Sequence, residues 1–285
     1  MENFISDVKL GFHVSISGSI DQAFDRAQLL GCSTFQIFTR NPRTWKSKPL
    51  IPDEVNAFQR KHKESRIGPV FSHMPYLPNL ASPNDTIYKK SVDALIEETK
   101  RCQDLNIRYI VTHVGSHVGS GVEGGRLRLI QALGEAADID GTMILLENDS
   151  GSGKHMGSNF AYIADLINEL GSKKFGCCLD TCHTFAAGYN IATEDGLTQT
   201  LRVVSKTIGF NRLKLVHLND SVGDLGSGVD HHDHIGLGKI GVEGFRRILN
   251  SQLAKRPIIM ETPIDNRRSD VENMEKVREL AMLSR

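Results

Sequence analysis

The chain has 285 residues, 39% hydrophobic and 24% charged, and its 34 Lys and Arg balance 34 Asp and Glu. This neutrality excludes a protein that holds nucleic acid by bulk positive charge alone, and the composition excludes intrinsic disorder. No run approaches the roughly 18 apolar residues of a membrane span, Met1 to Asp7 carries no basic or long apolar leader, and the cysteines are few and odd in number, so a reduced, cytoplasmic chain with no membrane partner is expected.

From end to end, short apolar or β-branched runs alternate with helical patterns. Lys9–His13 is the first run. Ser19, with Gln22 three residues on, predicts a capping box for a helix faced by Ile20, Ala23, Phe24, Ala27 and Leu30 and closed by Gly31. Thr34–Phe38 is followed by a weaker pattern over 53–65, Pro69–His73 by one over 86–105, and Arg108–His113 by one over 126–139. Thr142–Glu147 precedes a helix on Phe160, Ile163, Ala164, Ile167 and Leu170 that Gly171 closes. Gly176–Asp180 precedes one on Leu197, Leu201, Val204 and Ile208; Leu213–His217 and Pro257–Glu261 precede patterns over 243–253 and 270–283. The runs end at 13, 38, 73, 113, 147, 180, 217 and 261, a recurrence of 25 to 44 residues, which suits a strand–helix unit of about 30. Eight such units with no linker predict one domain over 1–285, a single (β/α)8 TIM barrel. Spacing alone leaves an open doubly wound sheet as the alternative.

In parallel α/β proteins, functional side chains collect at the C-terminal ends of the strands. Those ends carry His13, Thr39, His73, His113, Glu147, Asp180, His217 and Glu261. One such residue is an ordinary polar loop group; seven acids and histidines at equivalent positions converge on one face of a barrel. Clustered carboxylates and imidazoles need water or metal to offset their burial, and mixed nitrogen and oxygen ligands suit zinc or manganese. Two local motifs extend the set: Asp180-Thr181-Cys182-His183 and Asp230-His231-His232-Asp233-His234. Gly236-x-Gly238-x-x-Gly241 has the letters of a dinucleotide fingerprint but follows a His-rich loop instead of a strand, and is rejected. From Arg40 to Arg66, eight basic residues face only Asp53, Glu54 and Glu64. This is a candidate DNA-backbone patch in which Arg40 and Arg43, just past a strand, belong on the active face, while Arg60, Lys61 and Lys63 read as a solvated helix face.

The motifs also carry a resemblance. Cys178-Leu179-Asp180-Thr181-Cys182-His183-Thr184-Phe185-Ala186-Ala187-Gly188-Tyr189 resembles the central motif of the endonuclease IV family, zinc-dependent apurinic/apyrimidinic endonucleases of base-excision repair. His217-Leu218-Asn219-Asp220-Ser221, then Gly226 to His232 and Gly236 to Gly241, resembles its third motif. His13-Val14-Ser15, Phe38 to Trp45, His113 to His117 and Leu146-Glu147-Asn148 match in order, so the likeness runs from about residue 10 to about 263.

The resemblance implies a (β/α)8 barrel and three Zn2+ ions, with Mn2+ open at some sites. His73, His113 and a bridging Glu147 would take the first ion. Glu147, Asp180, His217 and Glu261 would take the second, and His183, Asp230 and His232 the third. It implies hydrolysis of the DNA phosphodiester 5′ to an abasic site, leaving a 3′-hydroxyl and a 5′-deoxyribose phosphate, with a 3′-phosphodiesterase side activity. Glu147 would orient the attacking hydroxide. Arg43 would be inserted into the duplex, and Tyr76 and Leu77 would wedge into the gap. Double-stranded DNA with abasic sites would be the partner, and the chain a monomer with no obligate protein partner. With four acidic ligands and three divalent ions, the loaded site is net positive, which suits a phosphate. Two positions depart from the family: Val222 replaces a frequent lysine and His231 a usual arginine, which bears on DNA affinity and not on the ligands. His117, His155 and His234 read as polar groups around the site, His13 and Thr39 as supporting residues, and His62 as a surface residue. The alternative is a metal-dependent sugar isomerase or epimerase of the same barrel class, distinguished by the third triad together with Arg43, Tyr76 and Leu77.

Overall fold

The computed structural model describes residues 8–282. The Met1–Asp7 segment and the end of the 270–283 pattern lie outside them. Eight parallel strands form one sheet: β1 (Leu10–Phe12), β2 (Phe35–Ile37), β3 (Val70–His73), β4 (Tyr109–His113), β5 (Met143–Glu147), β6 (Phe175–Asp180), β7 (Leu213–His217) and β10 (Ile258–Met260). They are ordered β1-β10-β7-β6-β5-β4-β3-β2. A parallel bridge between His13 and Gln36, with Val14 N donating to Gln36 O at 2.8 Å, joins the two ends into a barrel and excludes the open sheet. Gly11 makes this junction close: a Cβ there would lie 1.7 Å from Thr34 O.

Each strand falls in one of the eight predicted runs, except that β6 starts at Phe175, one residue ahead of its run. The helices α1 (Gln22–Leu29), α2 (Pro52–Glu64), α3 (Asp85–Asp104), α4 (Val122–Ala137), α5 (Phe160–Leu170), α7 (Glu194–Lys206), α8 (Gly241–Leu249) and α9 (Asp270–Met282) fill the predicted patterns between and after them. The Ser19–Gln22 capping box does not form. Ser19 Oγ turns to the Asp21 carboxylate, and α1 starts only at Gln22, whose side chain accepts from Arg26. At α5 the start is capped by Asn159 Oδ1 accepting from Ala161 N at 2.8 Å, and Gly171, at φ 99°, ends it. Two features carried no sequence signal: the short α6 (Thr181–Ala186) directly after β6, and an antiparallel ribbon of β8 (Asp220–Ser221) and β9 (His232–Asp233).

The strand period of two sorts the side chains. Val70, Ile110, Ile144, Leu146, Cys177, Leu179, Val216 and Ile258 join the helices in the large outer core. Phe71, Val111, Leu145, Cys178, Leu215 and Ile259 form a separate inner cluster inside the barrel, with Tyr109 and Met143 packed against it. Two residues further along the same strands come His73, His113, Glu147, Asp180, His217 and Glu261.

Candidate metal centre

Nine acids and histidines gather above this inner plug in three groups whose ligand atoms lie within 4.8 Å of one another: His73, His113 and Glu147; Glu147, Asp180, His217 and Glu261; and His183, Asp230 and His232. These are the three sets that the resemblance implied. Seven of the nine line a cavity of ≈ 500 Å³ whose rim includes Phe38, Tyr76, His231 and Ile264, and the other two, Asp180 and His217, are fully buried.

Backbone carbonyls set the tautomers of three histidines. His73 Nδ1 donates to Met74 O at 2.7 Å, His183 Nδ1 to Asn148 O at 2.8 Å and His232 Nδ1 to Glu261 O at 3.1 Å. Each Nε2 then faces a carboxylate: Glu147 Oε2 at 3.2 Å from His73, and Asp230 Oδ1 at 2.9 Å from His183 and 3.6 Å from His232. His217 is turned the other way. Gln36 Oε1 takes Nε2 at 3.0 Å, and Nδ1 lies 2.7 Å from Glu147 Oε1 and 3.4 Å from Glu261 Oε2.

Glu147 is 1% exposed and divides its oxygens between the groups, Oε2 toward His73 and His113 and Oε1 toward His217 and His183. Burial opposes its ionisation, but the charges of His113 and His217 and hydrogen bonds from His217 and His73 hold its carboxyl well below the ordinary value. Burial likewise opposes protonation of His183, and Asp180, Asp230 and Glu147 overcome it, so that histidine is driven well upward. Asp180 is locked in place: Asn219 Nδ2 donates to its Oδ2 at 2.7 Å and His183 N to its Oδ1 at 2.8 Å. Asn148 Oδ1 receives Asp180 N, and Asn219 Oδ1 receives Glu261 N, both at 2.8 Å. Gln36, Asn148 and Asn219 are the supports that sequence reasoning missed; their signal was position, on a strand or one or two residues past its end.

The donor set fits divalent metal. It is nitrogen and carboxylate oxygen throughout, His73, His183, His217 and His232 each have the other ring nitrogen engaged, and His232 Nε2 is buried with no hydrogen-bond partner among the described residues. The thiols nearby are poor candidates, since burial pushes Cys178 up to about 12. His234 has both nitrogens engaged, with Asp265 and Asn273 at 2.9 Å each. His117 Nδ1 accepts from Gly119 N and Gly121 N, and His155 Nδ1 pairs with Asp149. These three stay outside the groups, as expected. His13 Nδ1 lies 3.4 Å from Glu261 Oε1, in a supporting place, and His62 lies in a surface groove, half-buried with its ring against Phe24 and Phe58. The Gly236–Gly241 loop binds no nucleotide phosphate with its amides, because Gly236, Gly238, Ile240 and Gly241 N–H groups all point to the Asp220 carboxylate.

Arg43 is exposed, Tyr76 is 64% and Leu77 39% exposed, and all three stand at the barrel mouth. Tyr76 packs edge-on against Phe38 with centroids 5.1 Å apart, and its N–H donates to Pro42 O at 3.2 Å, so the Arg43 and Tyr76 loops touch. Arg40 is not on that face. It is 5% exposed and lies 2.6 Å from the buried Glu98 carboxylate, because the chain turns inward after β2. Val222 and His231 adjoin, with Val222 N donating to His231 O at 3.0 Å.

The closed barrel with its polar mouth falls in the class of xylose isomerase-like TIM barrels, whose family model matches residues 24–284. Within that class, a Methanoculleus marisnigri protein named "Probable endonuclease 4" is 50% identical over 279 residues, covering 96% of this chain and 99% of its own. A Nitrosopumilus maritimus protein of the same name is 47% identical over 96% of this chain and all of its own. The crystal structure of endonuclease IV from Thermus thermophilus superposes with a TM-score of 0.86 at 36% identity, covering 96% of this chain and 99% of that one. The chain belongs to the endonuclease IV family. Among the described residues, no helix is long and apolar enough to cross a membrane.

Proposed function

We propose that this chain is a metal-dependent endonuclease that hydrolyses the DNA phosphodiester 5′ to abasic sites in base-excision repair, leaving a 3′-hydroxyl and a 5′-deoxyribose phosphate, with a 3′-phosphodiesterase side activity. The observation that carries this reading is Glu147, buried on the cavity floor with one oxygen toward each neighbouring group of ligands. His73, His113 and Glu147 would hold one Zn2+, Glu147, Asp180, His217 and Glu261 a second, and His183, Asp230 and His232 a third. Bound divalent ions would supply positive charge for the phosphate and bring the pKa of water toward neutrality.

The chain's own groups do the rest. Glu147, held ionised, accepts a hydrogen bond from the attacking water and orients it. Gln36, Asn148 and Asn219 fix His217, Asp180 and Glu261, so the ligands need no rearrangement when substrate arrives. An abasic nucleotide must leave the base stack to reach a floor this deep. Tyr76 and Leu77, exposed apolar groups beside the cavity, wedge into the gap, and Arg43 from the adjoining loop enters the duplex. The substrate is double-stranded DNA, and the chain acts as a cytoplasmic monomer.

The isomerase reading accounts for neither the His183, Asp230 and His232 group nor the exposed Arg43, Tyr76 and Leu77. The test is incision of a duplex with one abasic site beside an undamaged duplex, with metal counted on the same preparation. Cleavage 5′ to the lesion with about three metals per chain is expected. Full metal loading without cleavage would reject the reading and turn the search to sugars.

A further inference from the structure

Between β2 and α3 lie three buried charges that the metal centre does not use. Arg40, Glu98 and Arg101 are 5%, 0% and 8% exposed. Arg40 Nε stands 2.6 Å from Glu98 Oε1, Thr39 Oγ1 donates to Glu98 Oε2 at 2.5 Å, and Arg101 Nε donates to Thr39 Oγ1 at 2.9 Å. Burying such a set carries a desolvation cost, and apolar replacements are often as stable, so its presence points to geometry more than to stability. The geometry is a clamp on the loop from 39 to 48. Arg101 donates to Thr39 O and, at 2.9 Å, to Lys48 O. Arg40 Nη1 donates to Trp45 O at 3.0 Å, and the Ser47 hydroxyl to the Glu97 carboxylate. The loop is held at its start, middle and end, and Arg43 is left projecting between these anchors. Through Pro42 O and Tyr76 N, the same clamp reaches the neighbouring loop.

We propose that Arg40, Glu98 and Arg101 are positioning residues that preform the Arg43 loop, and with it the Tyr76–Leu77 loop, for engagement of damaged DNA. This rests on the reading of Arg43, Tyr76 and Leu77 as DNA contacts. A loop already ordered spares the ordering cost on binding. Loss of the clamp therefore weakens substrate capture and leaves the chemical step intact.

The variants are Glu98→Gln and the double Arg40→Met/Glu98→Leu, which removes both charges and keeps the volume, so that a folded protein remains if the single variant fails. The zinc-loaded full chain is assayed on abasic duplex, and acrylamide quenching of Trp45, the sole tryptophan, follows the loop two residues from Arg43. KM is expected to rise about 10-fold with kcat within about 2-fold, zinc content unchanged and Trp45 more quenched. Unchanged KM with a loosened Trp45, an unchanged Trp45, or kcat falling together with zinc content would each overturn the proposal. Arg43→Ala separates the two readings. If it raises KM and the clamp variants do not, the clamp alone is wrong. If Arg43→Ala leaves KM unchanged, the DNA-contact reading fails and the clamp falls with it.

Discussion

Two layers of the barrel interior are built from the same strands, two residues apart, and they obey different rules. The lower layer, Phe71, Val111, Leu145, Cys178, Leu215 and Ile259, is apolar and sealed. The upper layer, His73, His113, Glu147, Asp180, His217 and Glu261, is polar, and His73, His113, Glu147 and Glu261 of it line the cavity. The lower layer repays its burial by excluding water and filling volume. The upper layer gathers charge that folding alone does not reward. Its supports confirm the difference: asparagine and glutamine side chains orient the upper groups, whereas the lower ones are held by packing. One layer therefore answers to stability and the other to chemistry.

Metal removal should separate the layers most sharply. Dialysis against a strong chelator should abolish incision while far-UV circular dichroism keeps the barrel signal, and added zinc or manganese should restore activity. Incision that survives metal-free dialysis would reject the upper layer as a metal centre. Next in size is a pair of substitutions on one strand. Glu147→Gln should lower kcat by about 100- to 10,000-fold with the fold retained, the range set by removing a general base or orienting group. Leu145→Ala, two residues below, should destabilise by about 2–5 kcal/mol through lost burial and a cavity, with kcat of the folded fraction nearly unchanged. Denaturant melts and single-turnover rates measure both. Near-normal incision by Glu147→Gln would remove its assigned role.

The contrast between layers also explains what could be read from the sequence. Strand ends and period were legible because a barrel strand must alternate, and because the last inward residue of each strand stands at the mouth. All eight strands, and six of the nine ligand candidates, followed from that rule alone. What failed depended on where the chain turns afterward. Arg40 looked like a mouth residue by its place after β2, yet the backbone carries it inward to Glu98, a residue 58 positions later with no sequence link to it. Ser19 and Gln22 had the right spacing for a capping box, but Asp21 offers the Ser19 hydroxyl a nearer acceptor. Gln36 passed unnoticed as one polar residue inside an apolar run, although it lies at the centre of the upper layer and touches His13, His217 and Glu261. A polar residue at an inward position of a strand is the signal that would have found it.

A smaller effect is expected at the mouth itself. Tyr76→Ala with Leu77→Ala leaves both layers untouched, so kcat at saturating substrate should fall little. Binding to abasic duplex should weaken by about 1–3 kcal/mol, the scale of one lost aromatic stack, and binding to undamaged duplex by less. Fluorescence anisotropy on the two duplexes reads this directly. An equal loss on both would mean that the pair contributes general surface contact and does not recognise the gap.

The smallest signal tests whether the layers open together. All five cysteines are buried, and burial raises the thiols, Cys32 to about 11 and Cys178 to about 12. A thiol reagent at pH 8 should therefore label almost none of them in the native protein and all five after unfolding. Cys178 belongs to the lower layer, whereas Cys182 lies on α6 with its Sγ 3.7 Å from His231 O, beneath the ribbon that bears His232. If metal binds the mouth and packing alone binds the plug, chelation should speed labelling of Cys182 and leave Cys178 protected. Peptide mapping of the labelled sites distinguishes them. Equal acceleration at both positions would mean that the plug depends on the metal too, and the separation of the two layers would be wrong.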